Sequence, residues 1–204
     1  MSGLWNRFVG DKTVKISRQE WKDQAELSYL SSQIDTELIK RCTQKIASEP
    51  ENETLLQSFL NYQRAALQQD RILSVASEID FLEQYVSLFQ YVSTADISII
   101  WTKNIAYPTL PIPSFILVPL IQNALFKGYH TAEKYPMKIK ISVSEKVISL
   151  DISNHVNHHV TDQKVSDLLT YYQARLHHEF GEQHTLIMNS NAHTFRSHLT
   201  LRFK

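Results

Sequence analysis

Pro119-Leu120-Ile121-Gln122-Asn123-Ala124-Leu125-Phe126-Lys127-Gly128 lies in a helical stretch, Ser114 to Lys127, that follows the Pro-rich linker Pro108 to Pro113 and carries Asn123 in its interior. On either side of it apolar residues alternate with polar ones. The pattern marks Ile97 to Trp101, Ile139 to Val143, Val147 to Ile152 and Ser197 to Phe203 as strands, with a further helix from Ser166 to Phe180. The first half of the chain reads differently. From Ser17 to Val92 there is no Gly and one Pro, and apolar residues recur at three- and four-residue steps. Ser17 with Glu20 matches a capping box and starts a helix. Leu27, Leu30, Ile34, Leu38 and Ile39 form one stripe, continued by Cys42 and Ile46, until the loop around Pro50 ends the helix. A second stripe, Leu55, Leu56, Phe59, Leu60 and Tyr62/Ala66, predicts an antiparallel helical hairpin. Ser77-Glu78-Ile79-Asp80 opens another helix, carrying Leu82, Val86 and Phe89. The expectation is an α+β chain in two domains: a helical hairpin over 17–93 and a helix-covered sheet over 94–204.

Composition narrows the function classes. With 204 residues and 43% hydrophobic content the chain can bury a substantial core. Lys plus Arg and Asp plus Glu are both 21, so no global basic field favours nucleic acid or an anionic membrane. The lone Cys42 forms no internal disulfide and reads as a small apolar residue, in keeping with a reducing compartment. No run reaches the roughly 20 apolar residues of a membrane span, and the opening Met1 to Gly10 is too short and interrupted for a signal peptide. A soluble, cytoplasmic protein is expected. The Leu4/Trp5/Phe8/Val9 cluster is expected to pack on its own domain. Helix pairs with apolar stripes favour a homodimer.

The Gln122-Asn123 segment resembles the asparagine box of the LytS-type sensor histidine kinases, which reads close to P-L-V-E-N-A-I-K-H-G. Ser77 to Val86 resembles that family's E-L-E-F-L-E-N-Y-L helix, and Ala174 to Gly181 its E-R-L-E-L-L-Y-G helix end, after which a closing hairpin follows. The resemblance implies a Bergerat-like α/β sandwich behind a helical dimerisation domain. In the family the box asparagine helps to hold Mg²⁺ on the nucleotide phosphates, a role for a hard oxygen ligand that the resemblance assigns to Asn123.

The chain departs from the family where the chemistry sits. Gln33 to Arg41 aligns with Q-I-N-P-H-F-L-F-N, and Glu37 falls on the phosphoacceptor histidine. A carboxylate cannot replace an imidazole that must form a phosphoramidate. No histidine precedes His130. In place of the D-x-G-x-G loop the chain reads Asn154-His155-Val156-Asn157-His158, and Ser166 to Tyr171 replaces the second glycine box. Glycine occurs only at 3, 10, 128 and 181, so no shift of register restores either box. His155, His158 and His159, with His177 and His178, lack a recognised metal-ligand spacing and read as unliganded.

These readings lead to a regulatory or scaffolding binding module rather than an enzyme. Asn123 and Asn154 would mark a vestigial nucleotide pocket, and ATP or Mg²⁺ is not expected as a cofactor. The resemblance supplies the expected partners: a second copy, a response regulator or an active histidine kinase. One alternative is an unconventional ATP-binding kinase or ATPase using Asn123. Another is a small-ligand sensor built in the vacated pocket, and a third, a phosphotransfer protein, lacks a histidine on the hairpin.

Overall fold

The computed structural model describes residues 18–93, 96–129, 135–156, 167–191 and 193–204. Three helices come first: α1 (Arg18–Gln33), α2 (Thr36–Ser48) and α3 (Glu53–Gln68). The stripe from Leu27 to Ile46 was expected on one continuous helix, but the chain breaks between α1 and α2. The cause is local. Asp35 takes extended geometry and its Oδ1 accepts from the backbone N–H of Glu37 (2.9 Å) and Leu38 (3.0 Å), starting a new helix. The break also divides the stripe. Leu38 and Cys42 are buried, whereas Leu27, Leu30 and Ile34 stay exposed, because α1 turns away to pack against α6 (Asp167–Phe180) and buries Ala25, Ser28, Tyr29 and Ser32 instead.

α2 and α3 form the hairpin, with Asn52 capping α3 through Leu55 N–H. Its second stripe is split in the same way: Leu55, Phe59, Tyr62 and Ala66 face the core, while Leu56 and Leu60 face outward. Strand β1 (Ile72–Ser74) leads into α4 (Val75–Val92), two residues ahead of the expected start at Ser77, because Ser74 Oγ accepts from Ser77 N–H (3.1 Å). The Pro-rich linker supplies the remaining N-terminal acceptors of α4. Its carbonyls at Leu110 and Pro108 take the N–H groups of Val75 and Ala76, at 2.9 Å each.

The sheet is mixed. β2 (Ile99–Ile105) runs parallel to β5 (Met137–Val143), and β5, β6 (Val147–Val156), β8 (Thr194–Arg202) and β7 (His184–Ser190) follow antiparallel in the order β2-β5-β6-β8-β7. Short β4 (Gly128–Tyr129) pairs with β6, and β3 (Pro111–Pro113) pairs with β1. One face is buried at every second residue: Met137, Ile139, Ile141 and Val143 on β5, Ile148, Leu150 and Ile152 on β6, Leu199 and Leu201 on β8. The buried apolar residues of this face and of the helical half belong to one cluster running from Leu38 and Phe59 through Phe81 and Phe115 to Leu201.

The chain is therefore α+β, a helical hairpin followed by a helix-covered sheet. Strand β7 has no clear alternation in sequence; it is the first arm of the closing hairpin. Gly181, at φ 53°, takes a left-handed turn after α6 that L residues with a side chain rarely adopt. The helix expected from Ser114 begins at Val118 (α5, Val118–Lys127), because residues 114–117 are held in an irregular turn with Phe115 at φ 58°. Ser17, the Leu4/Trp5/Phe8/Val9 cluster, Asn157, His158, His159 and Ser166 lie outside the described residues. Among the described residues no helix is long and apolar enough to cross a membrane.

Candidate functional site

Asp35 sits at the α1–α2 break and is the hub of a buried polar network. While Oδ1 caps α2, Oδ2 accepts from Tyr85 Oη (2.6 Å) on α4 and from Gln122 Nε2 (3.0 Å) on α5. Gln122 Nε2 also donates to the Ser31 carbonyl (3.2 Å). The polar pair of the box helix thus divides its work. Gln122 fastens α5 to the helical half; Asn123, 5% exposed, points into protein with Oδ1 unpartnered among the described residues. Burial next to this carboxylate pushes the Cys42 thiol up to about 11, which keeps it protonated and unreactive. Tyr85 and Tyr62 are held well above the ordinary phenol range, first by burial and then by the charge of Asp35.

Glu37, at the position the family gives to its histidine, is half-exposed and ion-paired to Arg41 at 2.9 Å, one turn along α2. It acts as a solvated helix glutamate. Asn154 lies on β6, 4% exposed, donating Nδ2 to the carbonyl of its neighbour His155 (3.1 Å), with Oδ1 unpartnered among the described residues. The two histidine groups have separate ring contacts: His155 stacks on Tyr135 at 4.3 Å between centroids, and His177 lies 4.9 Å from Trp21. Among the described residues no group of three His, Cys, Asp or Glu side chains is arranged to hold a metal ion.

A second polar centre had no signal in the sequence beyond Glu78 lying in the Ser77 to Val86 segment. Glu78, fully buried on α4, accepts from the N–H of Phe115 (2.7 Å) and Leu117 (3.0 Å). From the other side α6 contributes Arg175, whose guanidinium donates to the carbonyls of Phe115 (3.1 Å) and Ser114, and Tyr172, whose hydroxyl donates to Ile116 (2.8 Å). Five backbone groups and three buried side chains therefore define the turn that aims α5. A left-handed Phe115 costs on the order of 1–3 kcal/mol and persists only where its surroundings over-determine it.

Burial pushes the Glu78 carboxyl up to about 7, against the pull of the Leu117 and Phe115 N–H groups and of the Arg175 charge. The unfolded chain releases this proton near the ordinary value of 4.5, so the folded state binds more protons between about 4.5 and 7. Its contribution is complete below that window and is lost as pH rises through it, on the order of 3 kcal/mol in all. Urea unfolding from pH 4.5 to 7.5 should show this falling limb, and Glu78→Gln should flatten it.

Two cavities stand out. One, of about 630 Å³, is a groove between α3 and α4 that includes Asn61, Asp80, Glu83 and Tyr91. The other, about 250 Å³, lies at the α1–α2 break and is walled by Asp35, Glu37 and Gln122. Asn123 and Asn154 line neither of them.

No protein-family model and no curated protein matches the sequence. Among solved structures the chain is similar to the Acinetobacter baumannii histidine kinase AdeS, with 11% identity over 79% of this chain and 84% of that one and a TM-score of 0.47. A bacterial phosphotransferase matches over 90% of this chain and 97% of its own, with 9% identity and a TM-score of 0.49. The histidine kinase domain of the Erythrobacter litoralis blue-light activated histidine kinase matches over 90% and 95%, again at 9% identity, with a TM-score of 0.47. At such identities and scores these are distant likenesses, and the α+β architecture stands on the chain's own elements.

Proposed function

We propose that this chain is a catalytically inactive, histidine-kinase-like protein of LytS type, a cytoplasmic regulatory or scaffolding module in signal transduction that works through protein contacts. The observation that carries the reading is the use made of α5. Its Gln122 is bonded to Asp35 and Ser31 in the helical half, so the helix that in the family faces nucleotide is tied into the fold. The residues present do not fit Mg-ATP. Asn123 offers one oxygen, but Asn154 stands in place of the acid that reads adenine and spends its amide on the next carbonyl. The glycines that let backbone close over phosphates are absent from both loops. Glu37, paired with Arg41, has no nitrogen to phosphorylate.

A surface for partners lies on α3 and α1. Leu56 (41% exposed) and Leu60 (47%) on α3, with Leu27 and Leu30 on α1, present apolar side chains that a second copy, a response regulator or an active kinase would cover. Incubation with γ-labelled ATP and Mg²⁺ should leave the protein unlabelled. Sedimentation should give a dimer that Leu56→Glu/Leu60→Glu converts to a folded monomer; labelling of the wild type would overturn the reading.

A second reading keeps a ligand in the former nucleotide pocket. Two buried amide oxygens, Asn123 Oδ1 and Asn154 Oδ1, lack partners among the described residues, a costly condition that a bound molecule would relieve. This reading requires saturable binding that Asn123→Ala abolishes.

A further inference from the structure

The sheet buries one face against the helices; on the other, alternate residues of β5, β6, β8 and β7 are exposed or half-exposed. Charges balance over the whole chain, but not on this face. Lys138 and Lys140 on β5 and Arg196 and Arg202 on β8 stand there, all exposed. Among the described strand residues they meet a single carboxylate, Asp151 on β6. That carboxylate is already engaged, since His198 opposite it donates Nδ1 to Oδ1 at 2.7 Å. Among the described residues Lys138, Lys140 and Arg196 enter no ion pair. A neutral chain thus carries one cationic surface, which calls for an anionic partner.

Two further features narrow the partner's chemistry. One is a stack of rings at the end of the cationic rows. Ser153 on β6 is flanked in register by Lys138 and Arg196, and His155, two residues on, stacks on Tyr135 at 4.3 Å between centroids and 24° between planes. His193, exposed in the β7–β8 turn, lies nearly parallel to His155, at 18° and 6.3 Å. Flat rings beside Lys and Arg match unpaired bases and their phosphates; a duplex keeps its base faces inside, and an acidic peptide has none. The other feature is a row of hydroxyls, Ser142, Ser149, Thr200 and Thr185, in register across four strands. Thr200 is bonded to His198 Nε2 (2.9 Å), and Thr185 accepts from Arg202 (3.2 Å). Hydroxyls donate and accept, as a ribose 2′-hydroxyl does. From Arg196 to Arg202 the strand runs about 20 Å, room for a few nucleotides.

We propose that the open face of the sheet binds single-stranded RNA, with phosphates on Lys138, Lys140, Arg196 and Arg202, a ribose on the hydroxyl row and a base against the ring of His193. The surface lies across the sheet from the buried cluster that holds α5, so it is separate from Asn123 and from any nucleotide pocket. It does not depend on whether the protein is a kinase.

The probe is a fluorescein-labelled oligouridylate of about 10 nucleotides, within the usual span of such sites, titrated with the intact protein at low salt and read by anisotropy. Saturable binding is expected, with affinity falling on a log–log salt plot at a slope of about −2 to −3, the counterion release of three or four phosphates on a single strand. Lys138→Glu/Arg196→Glu should weaken binding about tenfold or more and flatten that slope. His193→Ala should weaken it about fivefold or more and leave the slope unchanged, since stacking releases no counterion. The matching oligodeoxyuridylate should bind about threefold or more weakly, the loss of one hydrogen bond, and a polyglutamate peptide should not compete. The substituted side chains are exposed, and circular dichroism checks that each variant is folded. Lys140→Glu takes the place of the double variant where that one does not fold. Absence of saturation, equal binding of the deoxy strand, competition by polyglutamate, or unchanged affinity in the charge variant or in His193→Ala would overturn the proposal.

Discussion

Arg175→Met should lower the unfolding free energy by about 3–5 kcal/mol, the range found when one member of a buried charged network is removed. Arg175 is almost fully buried on α6, and burial pulls its guanidinium below the ordinary range while the Glu78 charge opposes that shift. Its donors hold the carbonyls of Ser114 and Phe115. Methionine fills much of the volume but supplies no donor, so two buried carbonyls are stranded and Glu78 loses its nearest counter-charge. The left-handed Phe115 then loses half of its restraint. Guanidinium unfolding monitored by tryptophan fluorescence gives the number. Glu78→Gln alone should cost less, and the double variant should fall short of the sum, because both side chains hold the same turn. A loss below about 1 kcal/mol would place Arg175 among side chains whose geometry the fold does not need.

Asp35→Ala should be nearly as damaging, at about 2–4 kcal/mol, since one carboxylate satisfies four donors. Alanine removes the α2 cap and the shared carboxylate acceptor, leaving the buried Tyr85 hydroxyl and the Gln122 amide only each other. Asp35→Asn separates the two roles. Asparagine still caps a helix, but its NH₂ cannot accept from Tyr85 and Gln122 as Oδ2 does, so it should recover only part of the loss. Tyr85→Phe in the Asp35→Ala background should restore stability by removing one stranded hydroxyl, a gain visible in thermal unfolding by circular dichroism.

Most of the architecture was legible because it is written in periods. The two-residue alternation on β5, β6 and β8 and the three- and four-residue steps of α2, α3 and α4 are properties of neighbouring residues, which sequence displays directly. What was not legible depends on contacts distant in the chain. The break at Asp35 is hidden inside a continuous apolar stripe, because the side chain that makes capping worthwhile there is fixed by Tyr85 and Gln122, 50 and 87 residues away. The turn at 114–117 reads as a helix start until Glu78 and Arg175 are brought to it from either side. β7 lacks alternation because Leu186 and Met188, partly buried against the core, share the strand with the exposed Ile187.

The site divides along the same line. Asn123, Asn154 and Glu37 were identified from sequence, and their burial or ion pairing describes them as they stand: two inward-facing amides and one solvated carboxylate. Gln122 entered only as the residue in place of an acidic neighbour. Its partner Asp35 lies in the segment matched to the phosphoacceptor motif, two residues before Glu37. Their hydrogen bond joins the two segments that carry these resemblances.

The most direct measurement is a calorimetric titration of the folded protein with Mg-ATP and Mg-ADP, alongside Asn123→Ala. The account predicts no saturable heat with either nucleotide for either protein. Saturable binding to the wild type that Asn123→Ala abolishes would contradict it and return the helix bearing Asn123 to nucleotide chemistry.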